Sequence, residues 1–100
     1  MTAIAPVRPI TCADIPGTFH RGGSLPSGMP VPQAVPKLTC TGAHGAVAVL
    51  WTTIAPSQYK QELSGTGWHA SGATYRKPHA PRTITVLSIR SALVAVYRPS

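Results

Sequence analysis

Thr83-Ile84-Thr85-Val86-Leu87-Ser88-Ile89-Arg90-Ser91-Ala92-Leu93-Val94-Ala95-Val96-Tyr97 is the stretch whose reading decides the fold. Its first four residues alternate polar and apolar, the period of a half-buried strand. At Val86-Leu87 the phase slips, as a β-bulge would produce. A tight bend at Arg90-Ser91 then separates a second segment, Ile89 to Tyr97. Ser91-Ala92-Leu93 tolerates helix or strand, whereas Val94, Val96 and Tyr97 favour strand. A second strong element is Ala46-Val47-Ala48-Val49-Leu50-Trp51-Thr52-Thr53-Ile54, short, β-branched and bounded by Gly45 and Pro56. It reads as a buried strand.

Between these two elements the signals are weaker. Pro56 suits the first position of a short helix through Leu63, with Gly65 past its end. Ser64–Gly72 carries three glycines around Trp68 and His69 and reads as a loop or hairpin, and Trp68–Tyr75 holds a weak strand. Lys77-Pro78-His79-Ala80-Pro81 interrupts regular structure again. The expected fold is all-β or β-rich, a small sheet or partial sandwich over residues 38–98 within a domain of residues 38–100. Its expected core is Val47, Val49, Trp51, Ile54, Ile84, Val86, Ile89, Val94 and Val96.

Residues 1–37 differ in composition. They hold seven of the eleven prolines, with Gly17, Gly22, Gly23 and Gly28 among them. Each proline removes a backbone donor and restricts the residue before it, so no regular helix fits. Met29–Pro36 reads as a polyproline-type stretch. The expectation is an extended or disordered Pro/Gly-rich arm.

Leu38-Thr39-Cys40, then Trp51, then Ala55-Pro56 resembles the B-strand cysteine, C-strand tryptophan and following Ala-Pro of immunoglobulin variable domains. Ile84, Val86, Ile89, Ala95 and Tyr97 are similar in spacing to that family's E and F strands. The resemblance spans roughly residues 35–99 and implies a β-sandwich, with no function attached. The chain departs from the pattern in three places. Pro99 stands where the second cysteine belongs, Leu93 stands for the acid before the tyrosine corner, and no G strand follows.

Composition constrains chemistry. Val, Ile, Leu and Phe number 21 in 100 residues, near the lower edge for a chain with a packed core. Nine Lys and Arg face two acids, Asp14 and Glu62, for a net charge of +7. At least seven cations therefore meet water or a negative surface outside the chain. A basic field of this kind attracts polyanions. Paired-carboxylate catalysis is nearly excluded with two acids in dissimilar contexts. The possible metal ligands His20, His44, His69, His79, Cys12 and Cys40 contain no pair at zinc-site spacing, so neither metal nor cofactor is expected. No nucleophile elbow or phosphate loop frames the serines, histidines or glycines.

Cys12 and Cys40 stand as two free thiols in a reducing compartment. In an oxidising one they would close a loop of roughly 30 residues, worth roughly 3–4 kcal/mol. The longest apolar runs, Ala46–Trp51 and Ala92–Tyr97, are six residues each. Neither approaches a membrane span. The first residues lack a basic start followed by an apolar stretch, and the expected location is the cytoplasm.

Function narrows to three classes. The first is a non-enzymatic binding or structural protein that contacts a nucleic acid or an acidic protein surface. Trp68, Tyr75, Arg76, Lys77 and Arg82 are its candidate contact residues, since aromatic rings beside cations can stack bases. The second is an interaction module that docks through the Pro-rich arm. The third is a small metal-free ribonuclease built on His69, Tyr75, Arg76, Lys77 and His79.

Overall fold

A computed structural model describes residues 8–100. The part of the expected arm at residues 1–7 lies outside the described residues. Seven strands form one antiparallel sheet. They are β1 (Phe19–Arg21), β2 (Leu38–Gly42), β3 (Val47–Trp51), β4 (His69–Ser71), β5 (Thr74–Arg76), β6 (Arg82–Ile89) and β7 (Ala92–Pro99). The spatial order is β1-β2-β3-β7-β6-β5-β4. One helix, α1 (Pro56–Gly65), connects β3 to β4.

The β6–β7 hairpin is the spine. Its register runs unbroken from Arg82↔Pro99 to Ile89↔Ala92, so there is no bulge at Val86-Leu87. The phase slip has another cause: both faces of the sheet are covered. Ile84 and Val86 bury on one face, and Leu87 and Ile89 pack partly buried on the other. Arg90 (φ 48°) and Ser91 (φ 67°) both adopt the left-handed region. That is the backbone of a two-residue type I′ hairpin, which matches the right-handed twist of the flanking strands.

The first face of the sheet carries Val49, Trp51, Tyr75, Ile84, Val86, Leu93, Ala95 and Tyr97. Helix α1 lies over it and buries Tyr59 and Leu63, four residues apart on one side of the helix. Pro56 opens the helix, and the Gln58 side chain accepts from the Ala55 N–H at 2.9 Å. Trp68 and Met29 complete this layer. The Tyr59 hydroxyl donates to the Pro30 carbonyl at 2.6 Å, and the Tyr97 hydroxyl lies 3.0 Å from both the same carbonyl and the Tyr59 oxygen. Two buried hydroxyls thus pin the proline-rich segment to the helix and the central strand.

The second face carries Cys40, Ala48, Leu50, Ala92, Val94 and Val96. Residues 10–19 cover it through Ile10, Cys12, Ile15 and Phe19. A disulfide joins Cys12 to Cys40. Asp14 fastens the same segment: it accepts from Arg8 at 2.8 Å and from Arg90 at 3.1 Å. The Phe19 ring lies over Gly42, its partner across the strands, where a Cβ would stand 2.7 Å from a ring carbon.

The architecture is a single covered sheet. It lacks the two-sheet layering of an immunoglobulin domain; Cys40 bridges back to Cys12, and Ala55-Pro56 begins a helix. Of the expected core, Val49, Trp51, Ile84, Val86, Val94 and Val96 are buried, and Val47, Ile54 and Ile89 are partly buried.

Candidate anion-binding interface

The cover on the second face is shorter than the sheet. Residues 10–19 pack over the β1–β3 side, β7 and, through Leu87 and Ile89, the turn end of β6, and β4, β5 and the start of β6 are left polar. There His69, Ser71 and Arg76 are exposed, and Thr74, Thr83 and Thr85 are half-buried. Thr74 and Thr85, paired across β5 and β6, share a hydrogen bond of 3.0 Å between their hydroxyls.

At the end of this strip a cleft of about 530 Å³ is lined by Arg76, Lys77, His79, Arg82, Thr83 and Arg98, among others. Four of the nine Lys and Arg residues therefore meet around one hollow, and no Asp or Glu lines it. Three elements bring them there. Arg76 ends β5, Arg82 begins β6, and Arg98 lies opposite Thr83 near the end of β7. The Lys77–Pro81 connection closes the wall. The Ala80 N–H donates to the Lys77 carbonyl at 3.1 Å, and His79 sits at φ 64° within that turn.

The acids are elsewhere. Asp14 is held by Arg8 and Arg90 at the Arg90-Ser91 turn, the opposite end of the β6–β7 hairpin from Arg82 and Arg98. The backbone N–H of Thr11 holds its carboxyl below the ordinary aspartate value of 3.8, with Arg8 and Arg90 adding to that effect. Glu62 lines a neighbouring hollow that shares Lys77 as a wall.

The five sequence-predicted contact residues divide. Trp68 and Tyr75 are each only 6 % exposed and pack in the core with α1. Their rings offer no open face to a base. Arg82 lines the cleft and also braces it, since its Nη1 donates to the Gly45 carbonyl at 2.8 Å. Lys77 lines the cleft with its Nζ on the Thr66 carbonyl at 2.9 Å. Arg76 is exposed at the rim. Sequence reasoning missed Arg98 and Thr83. The signal was present: with the turn centred on Arg90-Ser91, antiparallel pairing sets residue 98 opposite residue 83.

Among the described residues no group of three or more His, Cys, Asp or Glu side chains is placed to hold a metal ion. No helix among them is long and apolar enough to cross a membrane. Comparison with protein families, curated proteins and solved structures returned no match.

Proposed function

We propose that this chain is a small basic binding protein that holds a polyanion at the Arg76–Lys77–Arg82–Arg98 cleft. One observation carries the reading: four cations and His79 surround one hollow that no Asp or Glu side chain lines. Like charges gathered without counter-charge repel one another, and an anionic ligand relieves that repulsion. The other cations are differently placed. Arg8 and Arg90 are taken by Asp14, Lys60 is exposed on the helix across the sheet, and Arg21 and Lys37 are exposed at the β1–β2 side, away from the cleft.

The compartment that suits the protein is an oxidising one, because a bridged Cys12–Cys40 pair persists there and is reduced in the cytoplasm.

The test is salt dependence, read by fluorescence anisotropy of a labelled oligonucleotide. Four phosphates neutralised on a single strand give a slope of log K against log salt of about −2.8, or about a 50-fold loss between 50 and 200 mM. Binding that ignores salt, or no binding at 50 mM, refutes the reading.

A second reading has one observation of its own. Val35, beside Pro36 in the proline-rich segment, is 87 % exposed, so that segment offers an apolar contact to a partner. Partner capture unchanged by Val35→Asp removes it.

A further inference from the structure

Residues paired across antiparallel strands share a face. His69 pairs with Arg76, and Thr83 pairs with Arg98. The pairs Thr74↔Thr85 and Tyr75↔Ile84 set the β5–β6 register, and its next step puts Arg76 beside Thr83. His69, Arg76, Thr83 and Arg98 therefore form one row across four adjacent strands, on the second face. Strands lie about 4.8 Å apart, so the row is about 14 Å long, with Arg76 and Arg98 about 10 Å apart at Cα. Behind it runs a row of hydroxyls, Ser71, Thr74 and Thr85. Beyond Arg98 the row turns apolar, because Ala46, Gly42 and the buried Phe19 continue it.

We propose that this row is a track for the sugar–phosphate backbone of a single-stranded nucleic acid, laid across β4–β7 at right angles to the strands. The proposal rests on the polyanion reading above. Arg76 and Arg98 each meet a phosphate, the Thr83 hydroxyl donates between them, and Lys77 and Arg82 supply charge from the adjoining wall. The track accommodates at most about four nucleotides at 3.4 Å or more each.

Three observations favour this ligand. Arg76 and Arg98 lie in one row on a sheet face, and the helix that could enter a duplex groove packs on the opposite face. The strip offers hydroxyls and no apolar centre, whereas a protein partner needs one. Trp68, Tyr75 and Tyr97 are all buried on the first face, so no Trp or Tyr ring there is open to a base, the exposed His69 imidazole is the one ring in the row, and recognition runs chiefly through the backbone. Binding is therefore indifferent to sequence and steep in salt.

The test uses the disulfide-bonded protein and a labelled 12-nucleotide oligothymidylate, with a 12-base-pair duplex and a poly-glutamate peptide as competitors. Expected results are tighter binding of the single strand than of either competitor, and a salt slope of about −2.8 for the unaltered protein. Arg76→Glu/Arg98→Glu should weaken binding more than tenfold and at least halve the slope. The neutral pair Arg76→Gln/Arg98→Gln, with Tm confirming the fold, should halve the slope alone. Lys60→Glu on the opposite side should leave binding within twofold. Equal or tighter duplex binding that the same variants abolish would overturn the single-strand track and leave the polyanion reading standing. So would displacement of the strand by millimolar inorganic phosphate, which marks a small-anion pocket, or equal competition by poly-glutamate. If Lys60→Glu costs as much as Arg76→Glu, attraction is diffuse and both readings fall.

Discussion

Replacing Cys12 and Cys40 together with alanine should cost this domain a large part of its stability. The bridge spans 28 residues of sequence. In the chain-entropy treatment, closing a loop of that length removes about 12 cal/mol/K from the unfolded ensemble, or about 3.6 kcal/mol at 25 °C. Cys40 is fully buried and Cys12 nearly so, and loss of their packing adds to that figure. Domains of this size have only about 5–15 kcal/mol in total. Urea denaturation followed by tryptophan fluorescence measures the loss. With a slope of about 2 kcal/mol/M, the midpoint should fall by about 1.8 M. The loss has a location as well as a size. The bridge holds residues 10–19 over Cys40, Ala48, Leu50, Val94 and Val96. Reduction should therefore raise hydrogen exchange in β1 and β2 before it does so in β6 and β7. A midpoint shift under 0.5 M would refute the reasoning. It would mean that the Asp14 contacts and the β1–β2 pairing hold the segment unaided.

Four further outcomes are expected. Tyr97→Phe should cost about 1–2 kcal/mol by urea titration, since it takes one of two hydroxyls from the contact with Pro30. Burial holds the Tyr59 and Tyr97 hydroxyls well above the ordinary tyrosine value of 10, so the unfolded chain loses these protons first and stability falls once pH passes about 10. Their tyrosinate absorbance should appear together with unfolding, and gradual ionisation of the folded protein would contradict this. Asp14 is held below 3.8, so its contribution is full above the unfolded value and is lost as pH falls through the folded one. Asp14→Asn should lower Tm at neutral pH, and the two Tm curves should converge in acid; parallel curves would refute the assignment. Gly42→Ala sets a Cβ 2.7 Å from the Phe19 ring. It should cost about 1–3 kcal/mol, and an unchanged Tm would show that the ring moves freely.

Much of the fold was legible in local pattern. Ala46–Ile54 and Thr83–Tyr97 read as strands because β-branched residues dominate them and turn residues bound them. The hairpin bend was legible at Arg90-Ser91, although neither residue is a usual type I′ choice. Helix α1 was legible from Pro56, a proline at the first helical position, where a missing N–H does no harm. The bulge was misread because a strand covered on both faces has no single apolar phase. Strands β1 and β2 were obscured by the prolines and glycines around them. Phe19–Arg21 is three residues long and exists as a strand through its pairing with β2.

The candidate site was half legible. Arg76, Lys77 and Arg82 cluster in sequence, and they cluster in space. Trp68 and Tyr75 share that stretch but alternate to the opposite face, which α1 covers. Arg98 lies 22 residues beyond Arg76 and reaches the cleft only because the hairpin doubles back.

Local order alone determined three things about this protein: a positive charge its own acids cannot balance, two strong strands with a turn between them, and a helix start at Pro56. Periodicity and composition act within a few residues, so a sequence can carry them unaided. Tertiary structure decided which cysteine meets which partner, which face each ring buries in, and which cations share a wall. Those are contacts between distant residues, and the register of paired strands sets them.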